Sequence, residues 1–367
     1  MNNNLNLIIG AGITGITLAE RLASKGRRVL IIEKREKIGG NCCDYFDYQK
    51  NYIQKYGPHI FHTNYEEVWN YLSEFTQWHD YEHEVLGRVC NKLVPIPFNF
   101  NSIDLLFEEK EAKEIKEIIA LEYGKNKKIP ILDLKKNKNS KIKELADFVY
   151  ENVFLYYTIK QWDLKPEEID PSVTARVPIF SGYDNRYFYD KYQGIPQEGF
   201  SKMFEKMLKN KNIELKLSTD YRDIVNDINY DKLFYTGPLD LFFDHRFGKI
   251  KYRKIDLKIT KKQITSFQKA SVVNYPTKED KFTRITEFNK FLNIKNKTTN
   301  IGKEFPSWEK GFQAYPFQTK ENQKVIDRYL LETKKYNRIF FLGRLAECKY
   351  YNMDEAIKNA LELIKKI

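Results

Sequence analysis

Leu5-Asn6-Leu7-Ile8-Ile9-Gly10-Ala11-Gly12-Ile13-Thr14-Gly15, continued by Ile16 to Ser24 and closed by Val29-Leu30-Ile31-Ile32-Glu33, is the stretch that decides the fold. Five residues rich in Leu and Ile read as a buried strand. A G-x-G-x-x-G turn follows, then a helical pattern that stops at Gly26, then a second apolar strand ending on an acid. Each position has a physical task. Gly10 permits the tight turn, and Gly12 lets backbone approach a pyrophosphate. Gly15 lets helix and sheet pack closely, and Glu33 can accept ribose hydroxyls. A lone G-x-G-x-x-G carries little weight, but here strand, turn, helix, strand and acid stand in the required order. The stretch predicts a dinucleotide site, with Ile13 and Thr14 in the turn beside it.

The residues beyond Glu33 narrow the ligand. Lys34-Arg35-Glu36-Lys37-Ile38-Gly39-Gly40-Asn41 is a basic loop ending in a glycine pair and an asparagine. Backbone without side chains, as at Gly40, can lie against a long extended cofactor, with Lys34 or Arg35 facing its phosphates and Asn41 alongside. This resembles the FAD-binding family of glutathione-reductase and amine-oxidase type.

Composition frames the rest. A chain of 367 residues has room for two or three domains. Its 42% hydrophobic content supports real cores, and 15% of residues are aromatic. A net charge of +12 suits an anionic partner. Much of the excess is lysine on surface runs such as Lys135-Lys136-Asn137-Lys138-Asn139, so nucleic-acid binding is not expected. Cys42, Cys43, Cys90 and Cys348 match no zinc spacing and make a poor disulfide framework. A reduced, cytoplasmic setting is the simple inference. The chain enters a strand almost at its start, so no signal peptide is expected. No apolar run approaches the roughly 20 residues of a membrane helix.

Periodicity then divides the chain. Ser102 is a plausible cap for a helix to about Tyr123, and a second helical pattern runs from about Ser140 to Tyr157. Ile255 to Thr260 alternates, and Ser271 to Tyr275 is rich in strand formers. Arg338 to Gly343 reads as a buried strand, with a last helix from about Asn352. The expectation is an α/β protein: a Rossmann-like FAD-binding domain (1–80, 193–247 and 333–367), a helical insertion domain (99–180) carrying a substrate lid at about 163–177, and an antiparallel β-sheet domain (81–98, 181–192 and 248–332).

Further motifs follow in order. They are Tyr56-Gly57-Pro58-His59-Ile60-Phe61-His62-Thr63-Asn64, Tyr157-Thr158-Ile159-Lys160-Gln161-Trp162 and Ala175-Arg176-Val177-Pro178. Asn185-Arg186-Tyr187-Phe188, Tyr192-Gln193-Gly194-Ile195-Pro196 and Tyr235-Thr236-Gly237-Pro238 come next. Asp244-His245-Arg246-Phe247-Gly248 and Thr283-Arg284-Ile285-Thr286-Glu287 lead to Gly343-Arg344-Leu345-Ala346-Glu347-Cys348-Lys349-Tyr350-Tyr351-Asn352-Met353. This ordered series resembles the prokaryotic UDP-galactopyranose mutases over essentially the whole chain.

The resemblance implies a redox-neutral isomerisation. The family interconverts UDP-galactopyranose and UDP-galactofuranose, or an N-acetylated analogue. Reduced FAD attacks the anomeric carbon through N5, the sugar opens as a flavin iminium adduct, and it recloses through O4. It implies that Arg176 and Arg284 bind the diphosphate and stabilise charge as the glycosidic bond breaks. Tyr157 would stack on uracil, Thr158 would meet the ribose and Trp162 would close over the nucleotide. His83, Tyr187, Asn274, Tyr315 and Tyr350 would complete the substrate set. His59, Ile60 and Phe61 would contact FAD, with His62 near its N5. Arg344, Tyr351, Asn352 and Met353 would border the flavin. His59 and His62 have metal-like spacing, but no third ligand is evident and no metal is expected. A UDP-sugar, a reductant such as NAD(P)H or a flavin-reducing system, and a second copy in a homodimer are the implied partners.

Three positions depart from the family. Asn352 replaces the usual aspartate but still heads an Asn352-x-x-Glu355 capping box. Ala175 stands where a basic residue often precedes the arginine, and Asp163 follows Trp162 where the family tends to glycine. Two other classes share the N-terminal motif. An amine-oxidase-type FAD oxidoreductase would not need the arginine and tyrosine set. A non-catalytic binding protein on the same fold, as in the GDP-dissociation inhibitors, would not need a cofactor.

Overall fold

A computed structural model describes residues 5–170, 177–317 and 319–367. Its chain divides into two compact units, one of 1–81, 190–253 and 312–367, the other of 82–189 and 254–311. Most of the segments expected as separate helical and sheet domains fall in the second unit, while 81, 190–192, 248–253 and 312–332 fall in the first.

The first unit is built on a five-stranded parallel sheet in the order Ile213–Lys216, Arg28–Ile32, Leu5–Ile9, Lys232–Tyr235, Ile339–Phe341. Leu7, Ile8, Ile31 and Phe234 are fully buried, as a sheet covered on both faces requires. The helix Ile13–Ser24 leaves the central strand directly after Gly12. It starts three residues earlier than its apolar pattern announces, because Ile13, Thr14 and Gly15 form its first turn. The C-terminal helix Met353–Lys366 packs beside it, burying Ile357, Ala360 and Leu361. A small antiparallel sheet, Phe61–Thr63, Tyr192–Pro196 and Trp78–Asp80, carries a stack of Phe61, Trp69, Trp78 and Tyr192 rings.

The second unit pairs helices with a sheet. Its strands run Tyr252–Lys262 (in this unit from Lys254), Thr299–Ser307, Arg284–Glu287, Val272–Asn274, Val85–Val89, Lys92–Ile96, antiparallel except where Val272–Asn274 meets Val85–Val89. The helix expected to begin at Ser102 is two helices, Phe100–Leu106 and Glu109–Tyr123. Its cap is Asn99, whose side-chain oxygen accepts from Ser102 N at 3.1 Å while Ser102 Oγ accepts from Asn99 N at 3.2 Å. Serine thus takes the reciprocal place usually held by Glu or Gln. The later helical pattern is one continuous rod in three parts: α-helical Ser140–Val149, π-helical Tyr150–Leu155 and α-helical Tyr156–Trp162. Such wide turns recur at functional sites, and this one lies where a hollow opens.

Cys42, Cys43, Cys90 and Cys348 are free thiols, with only Cys90 exposed. Among the described residues no helix is long and apolar enough to cross a membrane.

Candidate functional site

Each unit has its own hollow. That of the first unit, about 1270 Å³ including its open side, follows the carboxyl ends of the parallel strands, where ligands bind in open α/β sheets. Gly10, Gly12, Ile13, Thr14, Glu33, Lys34, Gly40, Asn41, His59, Arg344, Tyr351, Asn352 and Met353, all cofactor candidates from the sequence, are brought together in its lining. Of the cofactor set, Gly15, Ile60 and Phe61 do not. Phe61 is fully buried in the ring stack, so only its backbone is available to a ligand.

The three glycines now separate by task. At Gly10, φ is +104° and a Cβ would lie 2.2 Å from Thr236 Oγ1. At Gly15 a Cβ would come within 2.0 Å of the Gly10 carbonyl oxygen, so helix and strand could not pack. At Gly12 a Cβ would meet only Gly40 Cα, at 3.8 Å. Nothing among the described residues demands glycine there, and Gly12 lines the hollow. Glu33, 7% exposed, accepts from Ala11 N (2.8 Å) and Arg35 N (2.9 Å). It ties the glycine turn to the basic loop and keeps further lone pairs for a ligand hydroxyl. Arg35 is occupied by the Asn41 side chain and the Tyr56 ring.

The far end is set by Gly343–Met353. Arg344 donates to the Tyr351 carbonyl and to the Ala314 carbonyl, and its guanidinium lies 5.3 and 5.7 Å from the Tyr315 and Tyr350 ring centres. Asn352 begins the last helix, with Glu355 accepting from Asn352 N at 2.9 Å. The capping box expected there is thus in place with Asn352 as its first residue. A helix N-terminus with a neutral cap favours negative charge nearby. Burial raises the Asp354 carboxyl above its ordinary range and lifts the Cys42 thiol to about 12, leaving that cysteine unreactive. Glycine backbone, a helix N-terminus, an adenosine-type acid and an elongated outline form a donor set that fits a long dinucleotide such as FAD.

His59 and His62 serve different ends. His59 Nδ1 meets the Gly57 carbonyl at 2.9 Å, and His62 Nδ1 meets Asp190 Oδ2 at 2.7 Å. His62 does not line the hollow of the first unit.

The hollow of the second unit, about 650 Å³, is lined by Tyr157, Thr158, Trp162, Tyr187 and Asn274, all five predicted, with Val153, Phe154, Gly87, Ile96, Val177 and Pro276 added. The rod through the π-turn supplies Val153, Phe154, Tyr157, Thr158 and Trp162 from one side. The sheet supplies a row in register: Gly87 beside Asn274, Asn274 beside Arg284, Arg284 beside Glu304. Residues so paired share a face. Arg284 therefore stands next to the lining without forming part of it, and its Nε lies 2.8 Å from Glu304 Oε2. Asn274 Oδ1 is buried with no hydrogen-bond donor among the described residues, an acceptor left for a ligand.

His83 is buried behind this wall. Its carbonyl accepts from Tyr187 N at 2.7 Å, and its ring packs on Tyr187, Phe188 and Phe291. Tyr315 and Tyr350 belong to the first unit. Arg176, Ala175 and the lid stretch 171–176 lie outside the described residues. Asp163 closes the rod at φ +61°, the backbone a glycine would adopt, and accepts from Trp308 Nε1 at 3.0 Å.

Sequence reasoning missed several lining residues. Thr219–Arg222 and Thr236–Pro238 follow the carboxyl ends of the strands Ile213–Lys216 and Lys232–Tyr235. Their position after a parallel strand was the available signal. For Gly87 and Ile96 no local signal existed.

A Rossmann-like nucleotide-binding unit joined to a second unit with an aromatic, arginine-flanked hollow is the class these features define. Relatives narrow it. A family model described as UDP-galactopyranose mutase matches residues 152–350, and one for an NAD(P)-binding Rossmann-like domain matches 8–75. The probable UDP-galactopyranose mutase of Klebsiella pneumoniae is 31% identical over 100% of this chain and 96% of its own length. The dTDP-fucopyranose mutase of Escherichia coli is also 31% identical, over 98% of this chain and 97% of its own. A crystal structure of reduced UDP-galactopyranose mutase shares the fold, with TM-score 0.70 at 16% identity, covering 100% of this chain and 93% of the other. This chain belongs to the UDP-galactopyranose mutase family and is an isomerase.

Proposed function

We propose that this protein interconverts the pyranose and furanose forms of a nucleoside-diphosphate sugar, with UDP-galactose as first substrate, on reduced FAD. The observation that carries the reading is the hollow of the second unit. It gathers Tyr157, Thr158, Trp162, Tyr187 and Asn274, far apart in sequence, beside Arg284. An aromatic wall suits a pyrimidine, Thr158 a ribose hydroxyl, and a planar guanidinium a diphosphate. FAD would lie along Gly10–Gly15, Glu33, Gly40 and Arg344 in the first unit. Reduced FAD supplies a nucleophilic N5, so that the sugar can be released and recaptured with no net change of redox state. The protein's part is to hold the diphosphate with Arg176 and Arg284, orient the sugar and exclude water. A reductant such as NAD(P)H or a flavin-reducing system would prepare the cofactor. We take the working form to be a cytoplasmic homodimer, as the family resemblance implies.

One observation favours a second substrate. The dTDP-fucopyranose mutase of Escherichia coli matches as well as the Klebsiella enzyme. Thymine adds a methyl and deoxyribose lacks a hydroxyl, and an aromatic wall accepts both bases. Dithionite-reduced enzyme incubated with UDP-galactose, UDP-N-acetylgalactosamine and dTDP-fucose, each scored for furanose product, decides among them. Furanose from any one, without steady consumption of reductant, is the expected result. Stoichiometric consumption would instead support an amine-oxidase-type oxidoreductase. Purified protein that retains no flavin would point to a binding protein.

A further inference from the structure

Lys160 lies on the helix that presents Tyr157, Thr158 and Trp162 to the second unit's hollow, yet it does not line that hollow. Its ammonium is turned into the loop after Asn274. It donates to the Tyr275 carbonyl, and to those of Thr277 (2.9 Å), Asp280 (3.0 Å) and Phe282 (3.0 Å). Four backbone oxygens surround a group that has three hydrogens. A surface lysine would bind water there. This one is instead the centre round which residues 275–282 are wound, and the same loop starts from two lining residues, Asn274 and Pro276. The rest of the loop is tied to the same arrangement. Thr277 Oγ1 donates to Asp280 Oδ2 at 2.7 Å, and the Tyr275 and Phe282 rings pack at 4.8 Å.

We propose that Lys160 is a positioning residue for the substrate hollow: its ammonium gathers the 275–282 loop and so fixes the Asn274–Pro276 wall against the helix bearing Tyr157, Thr158 and Trp162. The inference rests on reading that hollow as the nucleotide site. It gives the fourth residue of the Tyr157–Trp162 motif a task that none of the ligand-facing residues performs.

The charges round Lys160 set the state in which the clamp works. Burial lowers its pKa to about 8, partly offset by Asp280 and Glu279 from the loop. On the neighbouring strand Thr299–Ser307, Lys303 stands over the Phe282 ring and Glu304 is paired with Arg284. Arg88, on the strand Val85–Val89, acts on the Tyr275 hydroxyl. Because the folded pKa is below the unfolded one, deprotonation relieves a burial cost. This group therefore adds no loss of global stability as pH rises through 8. The same linkage holds for the loop: opening it to solvent would restore the ordinary lysine pKa, so deprotonation does not by itself favour the open loop, and the clamp is tested by substitution at pH 7, where the ammonium is charged.

The test uses the flavin-loaded full chain and UDP as probe. Affinity for UDP and hydrogen exchange of amides 275–283 are measured at pH 7, below the pKa of about 8 at which the ammonium discharges. Lys160→Met should bind UDP about tenfold more weakly, or worse, having lost charge-assisted hydrogen bonds, and should lose protection at 275–283 while retaining its flavin. Lys160→Arg, which keeps the charge, should bind UDP more tightly than Lys160→Met. Wild-type affinity in Lys160→Met, or wild-type protection of 275–283 in it, overturns the proposal. Where Lys160→Met does not fold, Lys160→Gln is read in the same way and by the same outcomes. Failure of the wild type to bind UDP would instead reject the hollow's assignment, while loop protection would still report on the clamp.

Discussion

Gly12→Ala and Gly15→Ala make a matched pair, three residues apart, whose effects should separate the fold from the cofactor. An alanine Cβ at Gly12 meets only Gly40 Cα at 3.8 Å, an ordinary contact. The backbone there, φ −82° and ψ 179°, is open to any residue. Lower unfolded-state entropy would add about 0.4–1 kcal/mol of stability, against roughly 1 kcal/mol lost when a helix cap goes from glycine to alanine. The flavin-free protein should therefore melt within about 2 °C of wild type. At Gly15 the same Cβ falls 2.0 Å from Gly10 O and 3.2 Å from Ile8 Cγ2. Both are packed against the sheet, so helix and strand must part by more than an ångström. Overpacking of this kind costs about 1–3 kcal/mol or more, which is about 2–12 °C at roughly 2–4 °C per kcal/mol. Flavin occupancy after desalting and thermal unfolding of flavin-stripped protein read the two effects. Gly12→Ala should lose flavin and keep its melting temperature, whereas Gly15→Ala should lose both. Full flavin occupancy in Gly12→Ala would show that no ligand backbone runs past that residue. An unshifted melting temperature in Gly15→Ala would refute the packing argument.

Glu33→Ala should weaken flavin retention and also cost roughly 2–6 kcal/mol of first-unit stability, because Ala11 N and Arg35 N each lose a buried acceptor at about 1–3 kcal/mol. Circular dichroism should show the helices of the second unit intact, and unchanged flavin affinity would mean the acid is misassigned. Arg176→Ala should lower kcat of the reduced enzyme by about 10²-fold or more with the fold preserved, as for loss of a preorganised transition-state contact; near-normal turnover would remove Arg176 from the site. For Arg284, alanine is a poor probe, since it would strand the 2%-exposed Glu304 carboxylate at a cost of about 3–5 kcal/mol. Arg284→Lys keeps that charge balanced, and should reduce kcat/KM while leaving the melting temperature within a few degrees.

What was legible in the sequence was what the backbone enforces locally. Gly10 and Gly15 could be read because a tight turn and a close helix leave no room for a Cβ, whatever the rest of the chain does. Glu33 could be read because the end of a second parallel strand is a fixed distance from the first turn. Asn352 and Glu355 could be read because a capping box is a four-residue pattern. The Ser102 expectation missed for the converse reason. A serine at the third position of a box looks, in isolation, like a cap, and only the Asn99 hydrogen bonds distinguish the two. The π-turn at Tyr150–Leu155 left no mark either, since its apolar spacing passes for an ordinary helix.

The second unit's hollow was legible only through likeness to a family, and its geometry shows why. The row Gly87, Asn274, Arg284, Glu304 is assembled from four strands whose registers depend on one another, so no local pattern announces it. The Lys160 clamp is further from view. Its partners are carbonyl oxygens, which every residue possesses, so the loop's composition gives no hint of them. Lys160 and Arg284 nevertheless act on the same wall, from behind and from beside Asn274. One holds the loop that follows Asn274 and the other is its partner in the sheet. A ligand donor reaching Asn274 Oδ1 would therefore meet an acceptor held from two directions, and a change at either cation should be felt first in substrate affinity. Loss of UDP binding in Lys160→Met without loss of flavin would separate the two hollows, because the carbonyls that Lys160 gathers follow Asn274 in the second unit.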